Sequence, residues 1–275
     1  MPVAAAKEER LRAQLRDFRS VCVGFSGGVD SSFLARVAVD ELGPDRMLAV
    51  TGVSPSVSAA QLSDARTFAA AYGIPHLEVD TGEMADPRYS RNAPDRCFYC
   101  KSELWNRLGD VARVRGLAVL VDGANADDAS DYRPGTRAGQ AFGVRSPLAE
   151  AGLTKAEIRA LSRALGLPTW DRPAAPCLAS RVVYGLSVTP GRLRQIELAE
   201  EIIRSHGFVE FRVRHHGSVA RIEFSPAELN AGFASADDLA RELRGLGFER
   251  VVIDLEGYRR GALNEGLAVV ATGEL

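Results

Sequence analysis

The residues best suited to chemistry stand in a glycine-rich string between a predicted strand and a predicted helix. The string reads Gly24-Phe25-Ser26-Gly27-Gly28-Val29-Asp30-Ser31-Ser32. Consecutive small residues let successive backbone N–H groups turn towards one point, and the following helix adds its free N–H groups and its positive end. This geometry suits a phosphate or pyrophosphate, to which Ser26, Ser31 and Ser32 can donate. The string is neither a Walker A loop nor GxGxxG, and a tight turn without a ligand is the alternative.

The cysteines form a second group, and the chain has four of them. Cys97 and Cys100 are separated by two residues near the start of a predicted helix, so both sulfurs can reach one metal centre. A helix N-terminus with Arg96 and Lys101 nearby favours thiolates. A pair of buried thiols and a redox disulfide are the alternatives. Four cysteines are too few for a disulfide scaffold in 275 residues.

Cys177 is the candidate third ligand. It lies in the string Pro176-Cys177-Leu178, within a connector that contains several prolines. Three thiolates could hold a [4Fe–4S] cluster and leave one iron open, or hold zinc together with a fourth ligand. Cys22 lies on a predicted buried strand, and we expect it to be a small apolar core residue rather than a ligand.

Charged residues in the second half form a third group. Arg212 and Arg214 are two residues apart on a predicted strand, so their side chains share one face. Two guanidinium groups on one face suit a phosphate, whereas a solvated edge strand is the alternative. We expect His215 and His216 to lie on the surface of the same predicted hairpin.

Elements with alternating character must position these residues. The predicted strands cover 21–25, 47–53, 76–79 and 117–121, and the predicted helices between them cover 31–42, 58–72 and 97–115. This β-α-β order predicts an α/β fold with a doubly wound parallel sheet. Residues 81–96 and 123–146 are expected to be loops. Asp127, Asp128 and Asp131 lie on the second loop, at the carboxyl edge of the sheet, where ligands bind.

The pattern changes after the prolines of residues 168–189. A helix over 154–165 precedes them, and a helix over 191–206, a hairpin of 211–215 and 219–224, a helix over 236–246 and a strand over 250–255 follow. We therefore expect a first domain over 1–180 and a smaller α+β domain over 181–275. The net charge of −2 gives no bulk argument for binding nucleic acid or a membrane surface. We expect a cytoplasmic protein with no signal peptide and no membrane span.

The glycine-rich string resembles the Ser-Gly-Gly-Val-Asp-Ser loop of the PP-loop ATP pyrophosphatases. Members of that superfamily cleave ATP between the α- and β-phosphates, adenylylate a substrate and let a nucleophile displace AMP. The resemblance implies that pyrophosphate is held by Ser26, Gly27, Gly28, Asp30 and Ser31, and that Asp30 also helps to place Mg²⁺. A divalent ion is also expected because the leaving pyrophosphate is highly charged. The end of the second strand, 51–54, would meet the adenine.

Further strings narrow the resemblance to the LarE-type ATP-dependent sulfur transferases. They are Asp131-Tyr132-Arg133-Pro134-Gly135, Pro147-Leu148 with Lys155, Cys177-Leu178-Ala179-Ser180-Arg181 with Tyr184-Gly185, and Arg212-Val213-Arg214. Such proteins convert carboxylates of pyridinium-3,5-biscarboxylic acid mononucleotide to thiocarboxylates for the nickel-pincer nucleotide cofactor of lactate racemase. The resemblance therefore implies a small nucleotide substrate, a homo-oligomer, a sulfide donor and a nickel-inserting partner.

The resemblance also implies a substrate site in the second half. Arg212 and Arg214 bind the substrate's phosphate, and Ser180 and Arg181 join them. Ser180 is expected to be catalytic, together with Asp30 and the cysteine at 177. Arg259 and Arg260 are weaker site candidates.

The cysteines set this chain apart from single-cysteine members, which sacrifice one cysteine near the position of Cys177. Cys97, Cys100 and Cys177 together resemble the members that carry a [4Fe–4S] cluster, in which sulfide on the open iron is the donor. The resemblance implies that Glu200 and Glu223 lie near a metal or substrate, although each alone is typical of a surface carboxylate. A tRNA-thiolating enzyme, a nucleotide-binding sensor without catalysis and an ammonia-dependent ligase are the competing functions.

Overall fold

A computed structural model describes residues 2–130 and 134–259 of the chain. The chain forms two units, one made of Met1–Glu83 and Cys97–Ala175, the other of Met84–Arg96 and Pro176–Leu275. The second unit therefore includes a segment that comes from within the first part of the sequence. No helix among the described residues is long and apolar enough to cross a membrane.

The helices and strands follow the expected order. Along the chain they are α1 (Pro2–Phe18), β1 (Val21–Gly24), α2 (Val29–Leu42), β2 (Met47–Val53), α3 (Ala59–Ala71), β3 (His76–Asp80), α4 (Pro87–Ser90), α5 (Arg96–Arg115), β4 (Val119–Val121), α6 (Pro134–Ala141), α7 (Pro147–Glu150), α8 (Lys155–Ala164), α9 (Pro190–Ser205), β5 (Phe211–His216), β6 (Val219–Phe224), α10 (Leu229–Ala234), α11 (Ala236–Gly245) and β7 (Arg250–Ile253).

The first unit is built on a parallel sheet of four strands in the order β3-β2-β1-β4. The chain runs outwards from β1 to β3 and then returns to the other side of β1, which puts a topological switch point between β1 and β4. Ligands of open α/β sheets bind beyond the carboxyl ends of the strands at such a point. The predicted α/β fold with a parallel sheet is confirmed.

Helices cover both faces of this sheet. Val21 and Val23 of β1 join one apolar cluster with α1, α2 and α8, whereas Cys22 joins the opposite cluster with Trp105 and Leu108 of α5. The alternation follows from the pleat, which turns successive side chains to opposite faces. Cys22 is fully buried, as expected, and its burial raises the pKa of its thiol to about 12.

The second unit has its own sheet of three strands in the order β5-β6-β7. Strands β5 and β6 form an antiparallel hairpin around Gly217, which has a φ of 75°, and β7 pairs in parallel with β6. Residues of α9 and α11 pack with the strands in one apolar cluster, for example Ile203, Ile222 and Leu243.

The two expected loops contain short helices. The segment 81–96 holds a 3₁₀ turn at Glu83–Ala85 and α4, which begins at Pro87 after Asp86 accepts a hydrogen bond from the Arg88 N–H. The segment 123–146 holds a 3₁₀ turn at Ala126–Ser130 and α6. The loop expectation was wrong there because helices of four to eight residues have too few apolar positions to reveal a period.

Candidate functional site

The phosphate loop joins β1 to α2 at the switch point. Gly27 has a φ of 70°, and a Cβ on it would meet the Ala65 main chain at 3.0 Å. Gly28 caps α2 from an extended conformation and brings no side chain over the first N–H groups of the helix. Both glycines therefore leave open the end of the helix that attracts anions.

Two of the three serines of this loop lie at its mouth. The Ser26 and Ser31 hydroxyl oxygens are 3.1 Å apart, and the Ser31 hydroxyl donates to the Gly28 carbonyl at 3.3 Å. The Gly28 N–H reaches the Ser26 hydroxyl at 3.4 Å. The Ser32 hydroxyl is buried without a hydrogen-bond partner among the described residues. The structure thus brings Ser26 and Ser31 together with the glycines, whereas Ser32 points into the protein interior.

Asp30 lies in the first turn of α2 and contacts Lys155, for which the sequence suggested no role. Lys155 Nζ donates to Asp30 Oδ2 at 2.5 Å, while Asp30 Oδ1 is buried and has no hydrogen-bond partner among the described residues. Carboxylate oxygens are the ligands that Mg²⁺ prefers. Asp30 Oδ1 therefore fits as a ligand of a divalent cation, since it lies beside the phosphate loop and its lone pairs are unused among the described residues.

The segment after β4 closes on the same loop. A Cβ on Gly123 would meet the Ser31 main-chain nitrogen at 3.0 Å, so only glycine allows this approach. Asp127 Oδ2 accepts from the Lys155 main-chain N–H at 2.8 Å, and Asp128 Oδ2 accepts from the Asn125 N–H at 3.1 Å. These two aspartates hold the turn and the start of α8. The third aspartate proposed on this segment, at 131, lies outside the described residues.

The end of β2 was expected to meet adenine. The Thr51 hydroxyl donates to the Phe25 carbonyl at 2.7 Å and lies 2.8 Å from His76 Nε2. Ser54 Oγ accepts from the Ser56 N–H at 3.2 Å. Thr51 is buried and ties β2 to the residue after β1, so its hydroxyl has a structural contact inside the sheet.

The cysteines differ in exposure. Cys97 is exposed and Cys100 is half-buried, both near the start of α5, and Cys177 is half-buried just before a 3₁₀ turn. The pair on α5 belongs to the first unit and Cys177 to the second. Over residues 2–130 and 134–259, no group of three or more histidine, cysteine or acidic side chains is arranged to hold a metal ion. The three-cysteine site stays a prediction.

A buried network of arginines and glutamates occupies the second unit. Arg181 Nε donates to Glu200 Oε1 at 3.0 Å, and the two side chains are 6% and 3% exposed. Arg214 Nε donates to Glu223 Oε2 at 2.8 Å, with exposures of 8% and 2% for the pair. The interpretation of the glutamates as surface carboxylates is wrong, and so is the alternative of a solvated strand for the arginines. Each glutamate balances the charge of a buried arginine.

Arg212 completes this network. Its guanidinium carbon lies 4.7 Å from the centre of the Tyr258 ring, and Arg181 and Arg214 are close enough to act on it electrostatically. Burial and these like charges lower the pKa of Arg212. Tyr258 had no sequence signal. Arg259 contacts Glu256 near the surface, and the arginine at 260 lies outside the described residues.

His215 corrects a further expectation. It is 2% exposed rather than on the surface, since its Nε2 lies 2.9 Å from Gln195 Oε1 and its Nδ1 accepts from the Gly217 N–H. Burial lowers the pKa of His215 to about 4. Its neighbour His216 is exposed, as expected.

Comparisons with known proteins agree with this architecture. The NAD synthase family model matches residues 5–120. An uncharacterized protein of Synechocystis is 42% identical over 95% of this chain and 98% of its own length. Pyridinium-3,5-bisthiocarboxylic acid mononucleotide synthase of Lactiplantibacillus plantarum is 36% identical over 97% of both chains.

A more distant relative covers only part of the chain. The tRNA-specific 2-thiouridylase MnmA of Azorhizobium caulinodans is 31% identical over 56% of this chain and 48% of its own length. The similarity to the synthase thus extends over nearly the whole of both chains, whereas the similarity to the thiouridylase covers about half of each. The chain therefore belongs to the LarE-type sulfur transferases of the PP-loop ATP pyrophosphatase superfamily, and it is an enzyme that uses ATP.

Proposed function

We propose that the chain adenylylates a carboxylate of pyridinium-3,5-biscarboxylic acid mononucleotide and converts it to a thiocarboxylate, in the biosynthesis of a nickel-pincer nucleotide. The observation that carries this proposal is the 36% identity over 97% of both chains with the synthase named above. The phosphate loop with Asp30 and Lys155 supports the ATP-dependent half of the reaction.

The first step needs the phosphate loop. The N–H groups around Gly27 and Gly28, with the Ser26 and Ser31 hydroxyls nearby, receive the departing pyrophosphate. Asp30 would hold Mg²⁺, which screens the charge that develops on the leaving pyrophosphate. The substrate carboxylate attacks the α-phosphorus, the bond to the β-phosphate oxygen breaks, and an acyl-adenylate forms. Lys155 Nζ contacts Asp30, and its ammonium group would therefore lie beside the pyrophosphate as well.

The second step replaces AMP with sulfur. A sulfur nucleophile attacks the activated carbonyl, a C–S bond forms, and the C–O bond to AMP breaks with its electron pair leaving on AMP. Cys97, Cys100 and Cys177 would hold a [4Fe–4S] cluster, which supplies an open iron for the donor sulfide. These three thiols are exposed or half-buried and so are open to a bound group, whereas the Cys22 thiol is buried.

The substrate's phosphate is assigned to Arg212 and Arg214. Three buried arginines share two glutamates, and an anion would offset the burial and the like charges that together lower the pKa of Arg212. Guanidinium groups also bind phosphate bidentately. Glu200 and Glu223 stay proposed metal or substrate neighbours, and Ser180 is proposed to act in sulfur transfer through Cys177, whose carbonyl its hydroxyl binds. A homo-oligomer, a sulfide donor and a nickel-inserting partner complete the proposal.

The decisive experiment supplies the pyridinium biscarboxylate mononucleotide, ATP, Mg²⁺ and sulfide to anaerobically reconstituted protein. We expect pyrophosphate release and a product heavier by the replacement of oxygen with sulfur. Asp30→Asn should reduce pyrophosphate release about 100-fold. Pyrophosphate release without any thiocarboxylate would contradict the proposed function.

Iron and labile-sulfide analysis tests the cluster separately. We expect Cys97→Ala and Cys100→Ala to lower the cluster content, with Cys22→Ala as the control that leaves it unchanged. Unchanged content in both variants would exclude the cluster. A loss of H₂S from Cys177 in the intact mass after turnover would show instead that the protein spends its own sulfur.

The partial match to a thiouridylase favours tRNA as the second candidate substrate. A salt-sensitive gel shift with tRNA would support it, because phosphate contacts weaken as salt rises. The net charge of −2 argues for the small nucleotide.

A further inference from the structure

Several hydrogen bonds hold the main chain at Cys177 and at the residue before it. The Cys177 carbonyl accepts from the Ser180 N–H at 3.0 Å, from the Ser180 hydroxyl at 2.7 Å and from Arg181 Nη1 at 3.2 Å. Arg181 Nη1 also donates to the Pro176 carbonyl at 2.5 Å. Two consecutive carbonyls of the cysteine loop are therefore fixed by the side chain of one arginine.

Arg181 is in turn fixed from the opposite side. Its Nε and Nη2 donate to the two oxygens of Glu200 at 3.0 and 3.3 Å. Glu200 lies on α9 and also accepts from the Val213 N–H of β5 at 3.3 Å. The contacts thus run from a strand through a glutamate and an arginine to the peptide of Cys177, all within the second unit.

This arrangement leaves Arg181 little capacity for an anionic substrate. Each of its three guanidinium nitrogens already donates to a protein oxygen, and the side chain is only 6% exposed. Ser180 Oγ likewise donates to the Cys177 carbonyl and accepts from Arg181 Nη1 at 3.0 Å. Both residues point at the cysteine loop rather than outwards.

We propose that Arg181, with Ser180 and Glu200, is a positioning residue that fixes the Cys177 peptide, and not a contact for the substrate's phosphate. The consequence of this positioning for sulfur transfer rests on the proposed function. Buried charge-assisted hydrogen bonds are stronger than neutral ones and hold one geometry. A cysteine held in this way keeps its sulfur where the second half-reaction needs it.

Hydrogen exchange of the full-length protein tests the local part of the inference, independently of any activity. We expect Arg181→Ala to speed exchange in the peptide spanning 176–182 about tenfold or more, because charged hydrogen bonds to two carbonyls are lost. Ser180→Ala should give a smaller increase. Arg204→Ala is the matched control, since Arg204 contacts Glu200 at 3.4 Å but does not touch the cysteine loop.

Exchange in Arg181→Ala and Ser180→Ala equal to that of the unsubstituted protein would overturn the inference. Removing Arg181 leaves Glu200 buried without its main partner and endangers folding. Arg181→Lys and Ser180→Ala therefore carry the test if the alanine variant does not fold. A single ammonium cannot serve Glu200 and both carbonyls together, so Arg181→Lys should show intermediate exchange.

Separate measurement of the two half-reactions tests the role of Arg181 in sulfur transfer. In Arg181→Lys and Ser180→Ala, thiocarboxylate formation should fall at least about tenfold further than pyrophosphate release, with KM for the nucleotide unchanged. An equal fall of both steps with a raised KM would identify Arg181 as a substrate contact and overturn the inference. If the unsubstituted protein makes no thiocarboxylate, the proposed function fails, while the exchange measurement still decides the positioning role.

Discussion

At the scale of single residues, the phosphate loop balances one carboxylate against one ammonium. Lys155 Nζ donates to Asp30 Oδ2, and the Lys155 main chain donates to Asp127, so the start of α8 is fixed to both aspartates. A lysine in this position keeps a positive charge beside the loop that we propose to hold the departing pyrophosphate. Electrostatic stabilisation of this kind is often the largest single contribution to catalysis.

Lys155→Met should therefore slow pyrophosphate release about 100-fold, and Lys155→Arg should retain part of the rate. The measurement is the initial rate of pyrophosphate release at saturating ATP. Lys7→Met is the matched control, because Lys7 forms its ion pair with Glu157 and not with Asp30. Equal rates in Lys155→Met and Lys7→Met would remove Lys155 from the ATP site.

His215 predicts a pH dependence of stability. Its pKa is lowered to about 4 in the folded protein, so the unfolded chain binds the proton more readily between pH 4 and pH 6.5. The contribution of neutral His215 to the free energy of unfolding should be fully present above pH 6.5. The free energy of unfolding should fall by about 2 kcal/mol between pH 7.5 and pH 5.

Urea unfolding at several pH values measures this loss. His215→Gln should flatten the stability curve in that window, whatever its effect at neutral pH. His206→Gln, at the exposed end of α9, should retain the slope. A slope that persists in His215→Gln would assign the pH dependence to other groups.

At the scale of elements, the strand–loop–helix unit depends on a close approach of main chains. Gly27 combines a positive φ with a Cβ position 3.0 Å from the Ala65 main chain, so α3 closes one side of the phosphate loop. Gly73 also has a positive φ, of 61°, but a Cβ on it would meet nothing within 4 Å. A comparison of these two positions therefore distinguishes the effect of backbone strain, which both share, from the effect of crowding, which applies to Gly27 and not to Gly73.

Gly27→Ala should destabilise the protein by about 1–3 kcal/mol more than Gly73→Ala, since crowding is added to the strain that both share. It should also weaken ATP binding, because the loop must shift away from α3. Urea unfolding and calorimetric titration with ATP provide the measurements. Equal stability losses in the two variants would mean that α3 yields to the added methyl group.

At the scale of the whole molecule, most elements were predictable and their long-range pairing was not. The buried strand around Cys22 and the glycine-rich loop carry strong local patterns, and both lie where expected. By contrast, the Lys155 contact with Asp30 joins residues 125 positions apart, and no local pattern encodes such a contact. The buried state of Glu200, Glu223 and His215 was missed for the same reason, since burial of a polar side chain depends on partners elsewhere in the chain.

The inclusion of residues 84–96 in the second unit is the clearest case of such long-range pairing. Asn92 is fully buried with a φ of 60°, and its Nδ2 donates to the carbonyls of Val182, Val183 and Leu186 at 2.8 to 3.2 Å. Its Oδ1 accepts from Arg96, which stacks on the Tyr184 ring. One amide thus ties a segment of the first hundred residues to the loop that follows the cysteine at 177.

Asn92→Ala should therefore destabilise the second unit selectively, by about 2–4 kcal/mol, because three carbonyls and a guanidinium lose their partner. Hydrogen exchange should quicken in peptides 84–96 and 182–188 and stay unchanged in the strands β1 and β2. Asn106→Ala, at an exposed position of α5, is the matched control and should alter neither region. Faster exchange in β1 and β2 to the same extent would mean that the two units unfold together and that Asn92 supports the whole chain rather than one unit.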